Sequence, residues 1–285
     1  MSQGFSVRAP SERELERQRV RRRDRTRSAA IATAATVVFV LVVGWLVTSS
    51  PGWPRFQAYF LSWHDANASF PDIIKGFGKN VAMFLVAEPL ILLLGTLVAV
   101  TRVTTAPWLL PLRAVAVVYT DLFRGVPTIL VVVVCALGLP ALELTGIPTS
   151  LFWLTAIALV LCYGAYVAEV IRAGIETVHP SQLASAQALA LSSAQTMRHV
   201  VLPQALRRVM PPLLNDFVSL QKDTALASAV GVFEGVFAAQ DYGNYHFNGT
   251  PLFVTGVLFV ALTIPLARLT DWLGRRAMLR ERGRR

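Results

Sequence analysis

Residues 164–226 read GAYVAEVIRAGIETVHPSQLASAQALALSSAQTMRHVVLPQALRRVMPPLLNDFVSLQKDTAL, and within them a hydrophobic helix gives way to a polar loop of short helices. The apolar run ends near Ile171. Pro180 stands where a helix can begin, because the first turn has no use for its missing N–H. The spacing predicts a helix over 181–191 with a narrow stripe of Leu183, Ala186, Leu189 and Ala190. Such a stripe of mostly small side chains can enter a groove on another protein, or lie on lipid. Ser192 and Gln195 have capping-box spacing, which predicts a second short helix stopping at Pro203.

Around that stretch the chain reads as an integral membrane protein. Its 285 residues are 54% hydrophobic and only 15% charged, against about a quarter charged in soluble domains. Mean hydropathy is +0.52. A spanning helix needs about 20 mostly apolar residues. Residues 28–50, 126–142 and 144–168 carry no charge, 81–100 carry only Glu88, and 251–267 form a last run extended past Arg268 to Trp272. The run at 28–50 is too long for the h-region of a cleaved signal peptide, roughly 7–15 residues, and is read as retained.

The net charge of +10 is concentrated at the ends, with nine arginines before Ser28 and six after Trp272. Cytoplasmic flanks collect Lys and Arg, so both termini are expected inside, which requires an even number of crossings. Anionic lipid suffices as the partner of such tails, and nucleic acid is not required. The expected organisation is a basic tail (1–27), a first transmembrane helix (28–49), an external or interfacial segment rich in aromatic rings (50–75), a helical domain (76–276) containing the loop 172–203, and a second basic tail (277–285). A third span is expected over 114–139. Residues 204–240 cannot form one ordinary span: thirteen residues separate Arg208 from Lys222, Asp216 sits among them, and Pro211-Pro212 interrupts hydrogen bonding. A broken helix pair fits there, since irregular backbone and charge at membrane depth survive only inside protein or along a wet cavity.

Several phrases, taken together, resemble the permease subunit of binding-protein-dependent ABC importers, in the polar amino-acid branch. They are Gly164-Ala165-Tyr166-Val167-Ala168-Glu169, Leu202-Pro203-Gln204-Ala205-Leu206-Arg207, Pro211-Pro212-Leu213-Leu214-Asn215, Lys222-Asp223-Thr224 and Phe123-Arg124-Gly125-Val126-Pro127. The likeness covers about residues 76–276. The loop departs from the family pattern: Ala184-Ser185-Ala186 replaces Glu-Ala-Ala, and Ala190 replaces a glycine.

The resemblance implies an all-α polytopic membrane bundle, with a core of five helices plus one extra N-terminal helix, six crossings and both termini cytoplasmic, in a bacterial plasma (inner) membrane. It implies a translocation path for a polar amino acid or close analogue, coupled through residues 180–200 to ABC ATPase subunits. The expected contacts are Ser181, Leu183, Ala184, Ser185, Ala186, Leu189, Ala190 and Arg198. The other implied partners are an extracytoplasmic solute-binding protein and a second permease subunit, identical or homologous. No cofactor is expected in this chain, and ATP-Mg would bind the partner ATPases. The sequence agrees in lacking a G-x-x-x-x-G-K-[ST] phosphate loop, so it is not expected to be an enzyme.

The expected substrate path draws on Glu88, Glu169, Asn215, Asp216, Lys222, Asp223 and Thr224. An ionisable group inside a membrane is a functional-site hypothesis. Glu88 could meet a substrate ammonium or hold the bundle as a protonated or paired acid. Glu169 reads either as a substrate contact or as one half of an ion pair with Arg172, and Lys222-Asp223 either as substrate contacts or as a pair pinning the break. The four histidines are scattered, so no metal is expected, and Cys135 and Cys162 read as packing residues. Two other functions use the same features: a gradient-driven carrier with intramembrane carboxylates, and a non-transporting membrane anchor.

Overall fold

Helices form where the apolar runs predicted them, but with different lengths and breaks. The computed structural model describes residues 12–104, 106–143, 145–146 and 148–282, so parts of both basic tails lie outside the described residues. The elements are α1 (Glu12–Thr48), α2 (Trp53–Phe60), α3 (Trp63–Val103), α4 (Leu110–Gly125), α5 (Thr128–Val133), α6 (Leu139–Ala141), α7 (Leu151–Glu176), α8 (Pro180–Ala188), α9 (Ser193–Thr196), α10 (Leu202–Asp223), α11 (Gly235–His246) and α12 (Thr250–Arg282). There is no strand among the described residues. The chain divides into two units, Met1–Ala58 and Tyr59–Arg285. In the first, Phe39, Leu41 and Trp45 of α1 are exposed, as suits a helix surrounded by lipid.

Four helices are long and apolar enough to cross a membrane, and a fifth crossing arises if the bent pair Pro107–Gly125 and Thr128–Ala141 counts as one. The segment 204–240, expected as a broken crossing, forms α10 and α11, which are not among these four or five. Three expectations need correction. The third span is not straight: it bends by 109°, because Pro127 pushes Val126 out of the helical region to φ −96°, ψ 134°. Pro203 does not stop the loop. It falls in the first turn of α10, where a proline is free of cost, after a π-turn over Met197–Val201. And α10 runs through Pro211-Pro212 without breaking.

The break lies instead in Thr224–Val230, a 3-10 segment that ends at Gly231 with φ +85°. A side chain of α3 pins it. The Asn80 amide donates to Thr224 Oγ1 at 3.2 Å and its carbonyl accepts the Gly235 N–H at 3.0 Å. The Glu234 carboxylate, fully buried, accepts the N–H groups of Val236 and Phe237 at 2.9 and 2.8 Å and so caps α11. The N–H groups of Gly235, Val236 and Phe237, at the start of α11, thus find side-chain partners within the protein, as membrane depth requires.

At the centre stands α7, packed against α3, α4, α5 and α10, with Leu154, Leu159, Cys162, Ala165 and Ala168 wholly buried. Lipid is as apolar as leucine, so helices in a membrane associate through close packing, for which small residues are needed. Gly95 shows this: a Cβ there would lie 2.4 Å from Val167 Cγ1. Both free cysteines are buried, Cys135 in the π-turn that follows α5 and Cys162 in α7.

Candidate functional site

Two acidic regions face different ways along the second unit. In the first, α3 and α10 meet through Phe84 and Phe217, whose rings pack edge to face at 4.7 Å. One turn on from Phe84 in α3 stands half-buried Glu88, and the residue before Phe217 in α10 is Asp216. Asp216 Oδ2 is buried without a hydrogen-bond partner. Farther along α10, Asp223 accepts the Tyr163 hydroxyl of α7 at 2.8 Å, and Tyr166 lies beside Tyr163 with ring centroids 6.2 Å apart. The result is a group of three carboxyl groups and two phenol rings, with no cation paired to any of the three acids among the described residues. No three His, Cys, Asp or Glu side chains come together there, or elsewhere among the described residues, as metal ligands would.

The remaining residues read as a substrate path separate. Thr224 is fully buried and spent on the break, donating to the Gln221 carbonyl at 2.8 Å. Asn215 turns to another side of α10, where with Pro211, Leu214, Thr270, Asp271, Gly274 and Arg275 it lines a cavity of about 320 Å³. Lys222 is exposed and does not pair with Asp223. Adjacent helical residues point some 100° apart, so such a pair cannot close.

Glu169 belongs to the second region, the end of α7 that leads into the loop. Arg102 of α3 donates to Oε2 at 2.8 Å, and Arg172 donates to Oε2 at 3.1 Å and to Oε1 at 2.5 Å. Arg124 of α4 stands 3.6 Å from Oε2. Arg172 continues to Glu176, and Arg102 also donates to the buried Thr120 at 3.0 Å. Three charge-assisted hydrogen bonds and a third arginine within ion-pair range already engage this carboxylate inside the protein. Of its two readings the ion pair stands, with Arg102 and Arg124 added to the expected Arg172.

Below this point the helix ends and the loop begins. Gly174 lets α10 approach, since a Cβ there would lie 2.1 Å from Val209 Cγ1, and the Arg208 guanidinium donates to the Thr177 carbonyl. His179 Nδ1 accepts the Ser181 N–H at 3.2 Å, capping α8. The expected capping box at Ser192 and Gln195 is formed, with bonds of 3.3 and 2.9 Å. Ser181, Leu183, Ala184, Ser185, Leu189, Ala190 and Arg198 are exposed, Leu189 at 74%. Ala186 is not: it is buried at 1% as α8 folds back on residues 193–201, so the stripe read from sequence is divided between an inner and an outer face. Ala190, where the family pattern has glycine, takes the left-handed conformation at φ +56°.

Sequence reasoning missed Asn80, Tyr163, Arg102, Arg124 and Glu234 as members of these networks. Arg124 and Glu169 did carry a signal, since each lies in a quoted motif. The other four, Asn80, Arg102, Tyr163 and Glu234, lie outside every quoted motif, with nothing in their spacing to say what they touch.

Comparison with known proteins agrees with this architecture. Residues 91–278 match the family model described as the binding-protein-dependent transport system inner membrane component. The chain is 30% identical over 197 residues to the arginine transport system permease protein ArtQ of Bacillus subtilis, covering 69% of this chain and 88% of that one. It is 30% identical over 209 residues to the probable glutamine ABC transporter permease protein GlnM of the same organism, covering 73% and 94%. Among solved structures, an amino acid ABC transporter crystallised with histidines superposes with a TM-score of 0.68 at 26% identity, over 75% of this chain and 98% of that one.

Proposed function

Because the chain belongs to the family of binding-protein-dependent transport system inner membrane components, we propose that it forms the translocation path for a polar amino acid and favours a cationic one. It is a multi-pass membrane permease subunit. ATP hydrolysis then falls to separate ATPase subunits, and solute reaches the path from an external binding protein. A second permease subunit completes the path, and both termini lie in the cytoplasm. The loop over residues 180–200 meets the ATPase through Ser181, Leu183, Ala184, Ser185, Leu189, Ala190 and Arg198, while Ala186 holds α8 to its own chain.

The observation that carries the substrate preference is the set of unpaired acids on α3 and α10. Asp216 has a buried oxygen without a partner, and Glu88 stands on the helix packed against it, one turn from the Phe84–Phe217 contact. Burying a charge costs heavily unless it is paired, so a passing cationic side chain or ammonium gains most at this position. Lys222, exposed on the same helix as Asp216 and Asp223, is the cation for the solute's carboxylate. The names of several relatives, arginine and glutamine permeases, support the amino-acid class.

The test is uptake into proteoliposomes holding the permease, its ATPase subunits and the binding protein. Labelled arginine should accumulate with ATP and outcompete glutamine. Uptake by the permease alone, abolished by an uncoupler and indifferent to ATP, would instead establish a gradient-driven carrier. No flux under any energy source would establish an anchor.

A further inference from the structure

We propose that Glu169 is a positioning residue for transport, a pin through which movement of the loop reaches α3 and α4. This rests on the permease reading and adds the route by which the loop acts on the path.

Three observations converge on it. The first is position. Glu169 lies two turns before Glu176, the end of α7, and only Thr177, Val178 and His179 separate that end from the start of α8 at Pro180. Seven residues of helix amount to about 10 Å of rigid rod.

The second is reach. One carboxylate holds arginines from three helices: Arg102 on α3, Arg124 on α4 and Arg172 on α7 itself. Arg102 is the penultimate residue of α3, which closes at Val103, and Arg124 stands just before the bend at Val126-Pro127. A shift of α7 is therefore delivered to the end of one helix and to the bend of another. No other carboxylate among the ion pairs of the described residues is within 4.0 Å of arginines on other helices.

The third is inequality among the arms. Arg102 and Arg172 are in hydrogen-bond contact with Glu169 at 2.8 and 2.5 Å. Arg124 is at 3.6 Å and 39% exposed, beyond a hydrogen bond yet within ion-pair range. The tight arm to Arg102 makes α7 and α3 one body, Arg172 of α7 itself orients the carboxylate, and the loose arm to α4 is the one that makes and breaks as the loop moves. Removing the carboxylate would leave three like charges facing one another.

The experiment uses the whole complex, permease with ATPase subunits and binding protein, in proteoliposomes, and measures ATP hydrolysed against labelled arginine taken up. Glu169→Gln should lower uptake per ATP about tenfold, within the usual range of coupling between sites. Glu169→Asp should recover most of it, and Arg124→Gln should lower it about fivefold. An unchanged ratio in Glu169→Gln and Arg124→Gln overturns the pin. So does a fall of uptake and hydrolysis in step with the amount of assembled complex, which marks a fold-holding role alone. Arg124→Gln decides the matter if Glu169→Gln fails to assemble, because its side chain is the most exposed of the three. Failure of the wild-type complex to import any polar amino acid would sink the permease reading instead, and is seen in the control before any variant is made.

Discussion

Glu169 and Asp216 are both acids at the edge of hydrophobic helices, yet their surroundings are opposite. Glu169 is surrounded by three arginines and both its oxygens are hydrogen-bonded. Asp216 has a buried oxygen with no partner, and the packed helix α3 presents another acid, Glu88, one turn from the Phe84–Phe217 contact. An acid that is satisfied inside the protein adds to the frame. One left short by the protein is available to something that arrives. The chain thus separates holding from binding, although composition alone would class the two residues together.

The comparison can be broken by substitution. The largest effect should come from Arg102→Gln, which removes the tightest arm from another helix and leaves Thr120 and Glu169 short of a donor. It should cost about 3 kcal/mol of stability, read as a lower unfolding temperature of the purified complex. Next, Asp216→Asn should leave the complex folded and weaken arginine transport about 30-fold, the equivalent of ~2 kcal/mol for a hydrogen bond to a charged group. An equal loss for glutamine would show that Asp216 does not read the solute's charge.

A smaller effect of opposite sign is expected from Glu88→Gln. It removes one of two facing acids, so stability should rise by about 1 kcal/mol while arginine uptake falls. If Glu88→Gln instead destabilises as Arg102→Gln does, Glu88 belongs to the frame and the contrast fails. The smallest lies outside both regions. Ala190→Gly relieves a left-handed backbone at φ +56° and should stabilise the loop by roughly 1 kcal/mol, measurable as slower amide exchange over α8 and α9.

Much of this fold was legible without coordinates. Apolar runs found α1, α3, α7 and α12, because lipid demands length and lack of charge and both are local properties. The capping box at Ser192 and the broken pair at 204–240 were legible for the same reason. The position of the break was not. Pro211-Pro212 looked like the weak point, but both sit in the middle of α10, which continues through them. The backbone gave way at Thr224, where Asn80, 144 residues earlier, supplied the hydrogen bonds. Likewise the stripe on α8 placed Leu183, Ala186 and Leu189 together, and folding of the loop on itself buried the middle one.

What the residue order determined by itself was the class of protein, the helical runs, the polar loop and the family it resembles, since hydropathy, charge bias and capping act over a few residues. Which acids have partners was decided only in three dimensions. Arg102 and Glu169 are 67 residues apart and Tyr163 and Asp223 are 60, so the contacts exist only once α7 has packed between α3, α4 and α10. A carboxylate's role follows from the charges within a few ångströms of it, and in this chain those charges come from other helices.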